Sequence, residues 1–122
     1  MSLTVNYVVL YVDDAELCRT FWVEKVGMVE KDRTSFGEHV VVKVGFADQP
    51  FSFELVPLAM MADNPDGLDL GTPSVALRAD DLETAHATLV SRGVTVTDIG
   101  DHGGARSFGF SDLEGRWFAV TL

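Results

Sequence analysis

Cationic side chains are scarce in this chain: nine lysines and arginines stand against 19 aspartates and glutamates, a formal net charge of −10 over 122 residues. So few cations cannot assemble a basic patch able to neutralise phosphates, which excludes nucleic acid and anionic membrane surfaces as partners and favours cationic or neutral ligands. Cysteine is nearly absent. The single one, Cys18, cannot form an internal disulfide and falls on an apolar helical stripe, where it packs as a small hydrophobe. There is no basic leader followed by a run of about 10 apolar residues, and no run of about 18, so neither a secretory signal nor a membrane span is expected, and a cytoplasmic location is. A nucleophile elbow, a phosphate-binding glycine pattern and a paired-cysteine zinc signature are missing too.

Apolar residues are plentiful. They make up 47% of the chain, with 10% aromatic, enough for a packed core in a chain of one domain's length. They recur in a plan that is used twice. VNYVVLYVDDAELCRTFWVEKVGMV from Val5 and PSVALRADDLETAHATLVSRGVTV from Pro73 each read as strand, paired aspartates, helix, glycine. An offset of 67 residues carries Leu10 onto Leu77, Asp14 onto Asp81, Glu16 onto Glu83 and Val23 onto Val90, with Gly27 and Gly93 one residue out of phase. The chain is a tandem duplication of a half-module too small to stand alone.

The first strand is expected from about Leu3 to Val12, and its continuous apolar run predicts an interior strand with both faces largely buried. Asp13 then caps a helix, with Glu16 reaching back from three residues on, and Asp80 with Glu83 repeats the arrangement. Ala15, Cys18, Phe21, Trp22 and Val26 form one helical stripe, and Leu82, Ala85, Leu89 and Val90 the other, so both helices lie on a sheet. Gly27 and Gly93 end them. Short strands follow at Met28–Asp32, Phe36–Phe46 and Phe51–Pro57; Leu58 to Thr72 is a turn-rich linker. In the second half, strands are expected at Ser74–Ala79, around Val94–Asp98, at Arg106–Ser111 and at Arg116–Leu122, with GDHGGA as a glycine-rich loop and DLEG as a turn. The fold class is therefore α+β: two tandem βαβββ modules, residues 1–57 and 73–122, joined by the linker 58–72.

The D-D-x-E strand-to-helix junction, the glycine followed by Met or Val after each helix, the paired-module order and the closing FGFSDLEGRWFAV together resemble the vicinal oxygen chelate superfamily. That superfamily includes glyoxalase I, extradiol dioxygenases, fosfomycin-inactivating enzymes and bleomycin-resistance proteins. The resemblance covers residues 1–122 as a single domain, and it implies a curled mixed sheet enclosing a cleft, helices on the outside, and a homodimer. In metal-dependent members, side chains from the first and last strand of each module bind a divalent ion. Those positions fall here on Tyr7, Ser74, Glu54 and Ala119, of which only Glu54 is a conventional ligand. A catalytic divalent site needs about three convergent protein donors, so no metal and no other cofactor is expected.

Alternation along strands places Tyr7, Val9 and Tyr11 on one face with Glu54, Ser74, Ala76, Arg78, Trp117, Ala119 and Thr121. The opposite face, with Leu10, Val12, Phe53, Leu55, Leu77, Phe118 and Val120, is apolar and should meet the helices. The ligand-binding candidates are accordingly Tyr7, Tyr11, Glu54, Ser74, Arg78, Trp117 and His39. Glu54 is either bridged to Arg78 or free to contact a ligand, and Trp117 either stacks on a ligand or fills the interior. His86 is expected on a solvated helix face; His102, beside Asp101 in the glycine-rich loop, suits an acid–base residue on a lid. The reading is a metal-independent protein that binds a cationic or planar aromatic small molecule, such as an antibiotic. The alternative is a glyoxalase-like lyase, isomerase or dioxygenase that uses either an unconventional metal set or, without metal, Glu54 as the base.

Overall fold

A computed structural model describes residues 1–3, 5–64, 67–102 and 104–122, with the side chain of His102 outside the described residues. The chain divides into two compact units, Met1–Thr72 and Pro73–Leu122. The first contains β1 (Val8–Val12), α1 (Ala15–Thr20), β2 (Val29–Phe36), β3 (His39–Gly45) and β4 (Phe53–Pro57); the second contains β5 (Ala76–Arg78), α2 (Leu82–Ser91), β6 (Gly100–His102), β7 (Ala105–Ser111) and β8 (Trp117–Thr121). Each is a βαβββ module with a four-stranded mixed sheet, ordered β1-β4-β3-β2 and β5-β8-β7-β6. The duplication read from the sequence is thus a duplication of topology, and the fold is α+β.

In the first module β1 lies parallel to β4, with Val9 opposite Glu54 and Leu10 opposite Leu55. This corrects the expectation of an interior strand: among the described residues β1 pairs with β4 alone and is an edge of its module's sheet. Its unbroken apolar run has a different cause. Leu10 and Val12 are buried under the helix, whereas Val9 and Tyr11, on the other face, are half-buried. The helix-facing side carries Leu10, Val12, Val42, Val44, Phe53 and Leu55, all buried. Onto it α1 places Ala15 and Cys18, and the following turn places Trp22, whose ring meets Phe53 edge-on at 5.1 Å. That turn, Phe21–Val26, is a π-helix closed at Gly27, which sits at φ 96°. The wider turn ends where a side chain in the left-handed region would be strained.

The caps lie one residue later than the sequence suggests. Asp14 accepts from the Leu17 backbone N–H at 3.0 Å, and Asp81 from Thr84 at 2.9 Å. An N-cap accepts from the third residue after it, so the shift leaves Glu16 and Glu83 outside any capping box and frees them for ion pairs. Glu16 meets Arg33 at 2.8 Å, and Glu83 meets Arg106. The expected Phe36–Phe46 strand is instead a hairpin, β2 turning into β3 at Gly37 and Glu38. Gly37, at φ 62°, permits that reversal.

In the second module Phe108, Phe110, Phe118 and Val120 are buried, with Phe110 and Phe118 stacked at 5.6 Å. In α2 Leu82 and Leu89 are buried, while Val90 is 51% exposed, contrary to its expected place on the stripe. His86 takes that place. Its ring lies edge-on to Phe108 at 5.0 Å and its Nε2 is 2.9 Å from the Thr97 carbonyl oxygen, so it is not the solvated side chain expected. Positions 82, 86 and 89 share a helical stripe and 90 is turned about 100° from 89. The segment expected as a strand near Val94–Asp98 pairs irregularly with β7, through Thr97 N–H to Gly109 O and Ser111 N–H to Thr95 O. Part of the expected glycine-rich loop is β6, hydrogen-bonded to β7. The DLEG turn is built on buried Asp112, which accepts from the N–H groups of Glu114 at 3.0 Å and Arg116 at 2.8 Å. Burial works to lower the affinity of the Arg116 guanidinium for its proton, and Glu114 and Asp112 outweigh it.

No helix among the described residues is long and apolar enough to cross a membrane. On the surface of the first module Arg33 lies 2.8 Å from Glu30, and Arg19 3.1 Å. The hydrogen bond from Arg33 holds the Glu30 carboxyl below the ordinary carboxylate range, as that from Arg106 does for Glu83. A depressed pKa in the folded state contributes stability that is complete above the ordinary carboxylate pKa and is lost as pH falls through the lowered value. Urea denaturation at a series of pH values should therefore show stability falling on acidification below about pH 4.5, with Arg33→Met giving a shallower decline. In the same assay Asp14→Ala should cost about 1 kcal/mol at neutral pH through loss of the cap.

Candidate functional site

Strand register, not proximity in sequence, decides which residues meet on the helix-free face of the first sheet. Val9 stands opposite Glu54 on β4, Glu54 opposite Lys43 on β3, and Lys43 opposite Asp32 on β2, so one row crosses the sheet as Val9, Glu54, Lys43, Asp32. Directly opposed residues share a face. The row stays in line because β2 carries a bulge between Glu30 and Asp32; the extra residue, Lys31, donates to the carbonyls of Gln49 and Phe51. Lys43 Nζ lies 3.9 Å from Glu54 Oε2 and 4.2 Å from the centroid of the Tyr7 ring. The two side chains of the pair are largely covered, with 26% and 19% of their surfaces exposed.

Tyr7, Glu54 and the unanticipated Lys43 therefore form one cluster. Lys43 has a trace in the sequence, where His39, Val41 and Lys43 alternate along one face, but only the antiparallel register sets it against Glu54. Within its own module the ion partner of Glu54 is Lys43; in the second module Arg78, largely exposed, lies 3.4 Å from Asp80. Tyr11 shares the face with Tyr7 and stands opposite Val56. His39 shares it too, but at the hairpin end of β3, about 13 Å along the strand from Lys43 at 3.3 Å per residue; its Nε2 is 3.8 Å from Glu38.

The second module presents the equivalent row in reduced form. Ala76 stands opposite Ala119 and Ala119 opposite Gly109, in place of Val9, Glu54 and Lys43. A β-carbon on Gly109 would meet Trp117 Cε3 at 3.5 Å, so the indole covers the strip that this run of small residues leaves open. Trp117 keeps 51% of its surface exposed. Ser74 is exposed and precedes β5 by two residues; Arg78 and Thr121 are opposed one step further along. The acid–base reading of His102 concerns a side chain outside the described residues.

Among the described residues no group of three or more His, Cys, Asp and Glu side chains is placed to hold a metal. A metal bound to Glu54 at about 2.1 Å would also lie within about 6 Å of the Lys43 ammonium, in repulsion with it.

The model of the glyoxalase/bleomycin resistance protein/dioxygenase superfamily matches residues 4–120. The chain belongs to that superfamily. Solved structures of the same fold include TnmS3, an antibiotic-binding protein from Streptomyces sp. CB03234, at 24% identity and a TM-score of 0.80 over 99% of this chain and 97% of that one. UcmS2 is 21% identical with a TM-score of 0.81, covering 99% and 98%. A superfamily member from Sphaerobacter thermophilus DSM 20745 is 23% identical with a TM-score of 0.82, covering 98% and 97%. Among proteins of curated function the sequence finds no match.

Since Trp22 is fully buried and Trp117 half exposed, the two indoles should report separately. Acrylamide should quench part of the wild-type tryptophan emission, and Trp117→Phe should remove that quenchable, red-shifted part while leaving the protected emission of Trp22.

Proposed function

We propose that this superfamily member is a metal-independent small-molecule-binding protein whose ligand is a planar aromatic compound, held by a homodimer. The observation that carries the reading is the fate of the superfamily's ligand positions. Ser74 and Ala119 offer no metal donor worth the name, and Glu54 with Tyr7 is engaged by the ammonium of Lys43. The fold shared with an antibiotic-binding protein supports a binding role, and the exposed indole of Trp117 supports an aromatic ligand, since a flat ring gains most by stacking on another. Lys43 weighs against a cation at Glu54, whose charge it already offsets. The candidate contacts are, on the first module by itself, Tyr7, Tyr11, His39 and Glu54, and, on the second by itself, Ser74, Arg78 and Trp117.

A second reading is favoured by one feature: Glu54 receives no hydrogen bond among the described residues, so its carboxylate is available as a general base in a lyase or isomerase reaction. Elemental analysis of protein purified without chelator, combined with calorimetric titration of planar aromatic antibiotics, separates the two. Less than stoichiometric Ni, Zn, Fe or Mn is expected, with Trp117→Ala weakening binding about 3- to 10-fold. Stoichiometric metal, or identical weak binding by wild type, Trp117→Ala and Glu54→Gln, would overturn the binding reading.

A further inference from the structure

Lys43 and Glu54 are charged, largely covered and incompletely satisfied. Their closest atoms are 3.9 Å apart, beyond hydrogen-bond reach. Among the described residues neither the ammonium nor the carboxylate makes a hydrogen bond; the only other partner of Lys43 is the face of Tyr7 at 4.2 Å. An ammonium has three donors and a carboxylate about four acceptor sites, and covered groups of this kind gain strongly from a partner that fills them.

The geometry points to an uncharged hydroxyl on an aromatic ligand, bridging Lys43 and Glu54. This rests on the binding reading above and names the chemistry the site selects. A single hydroxyl oxygen accepts from Lys43 Nζ and donates to Glu54 Oε2. With charge-assisted bonds of about 2.6–2.8 Å the 3.9 Å separation is spanned at an angle of about 90° at the shared oxygen, which a hydroxyl accommodates. A carboxylate in the same place gains from Lys43 but meets Glu54 with like charge, and an ammonium gains from Glu54 but meets Lys43. An ether accepts from Lys43 and leaves Glu54 without a donor. A phenol, neutral at pH 7 because its pKa is near 10, satisfies both. The ring that carries it has apolar neighbours on this face, Val9 beside Glu54 in the row and Val56 two residues further along β4, both half-buried.

Four naphthalenes that differ in one substituent test the assignment in calorimetric titrations at pH 7: 2-naphthol, 2-methoxynaphthalene, 2-naphthoate and 2-naphthylmethylammonium. Wild-type protein should bind 2-naphthol about 10-fold more tightly than each of the other three. Lys43→Met should erase most of the preference for 2-naphthol and strengthen binding of the ammonium probe, and Glu54→Gln should strengthen binding of the naphthoate. Thermal melts of both variants establish that they fold, and the wild-type ranking stands as a test without them. Binding of all four probes with equal affinity, or a charged probe ranked first by wild type, overturns the hydroxyl assignment and leaves the aromatic-binding reading in place. Absence of binding by every probe overturns both.

Discussion

The parallel pairing of first with last strand is the constraint on which each module depends. Val8–Val12 pairs with Phe53–Pro57, and Ala76–Arg78 with Trp117–Thr121, across the whole length of its own module. Such a pairing is costly to form, because the intervening chain must close before the pairing can stabilise anything. It is retained because it gives the helix between the strands a continuous apolar surface. In the first module Leu10 and Leu55 lie side by side beneath Trp22 and Cys18; in the second Leu77, Val120 and Phe108 form one row beneath α2. With the helix committed to one face, the other face is left for chemistry.

The two modules have used that second face differently. Where the first has Val9, Glu54 and Lys43 in one row, the second has Ala76, Ala119 and Gly109. The first row is an electrostatic arrangement, in which the carboxylate of Glu54 is balanced by a cation from the neighbouring strand. The second consists of small apolar residues, and Trp117 lies against its glycine. Duplication made both possible, since strand order is kept by the apolar face while the other face changes without disturbing the core.

Much of this was legible from residue order alone. Two copies of a D-D-x-E junction, glycines closing both helices and period-two alternation with Phe53 and Leu55 on one side and Glu54 on the other identify the modules and sort their faces. The misreadings share a cause, which is that local patterns are ambiguous by about one residue or one turn. Asp13 and Asp14 are equally good caps until the helix takes its register. Val90 and His86 both border the stripe of α2, and the position facing the sheet is settled by Phe108 and by the Thr97 carbonyl waiting for an imidazole nitrogen. The apolar run of β1 reads as interior because a half-buried second face and a fully buried one call for similar residues.

The sequence by itself determined the duplicated α+β plan, the apolar faces and the acidic balance of the chain. These follow from residue type and spacing along one strand or helix. Only tertiary structure decided which charge accompanies Glu54. Lys43 is one of several cations on a list of residues, and it is the antiparallel register of β3 against β4 that sets it opposite Glu54 and near the Tyr7 ring. Cross-strand register is a property of paired strands, and neither strand carries it alone.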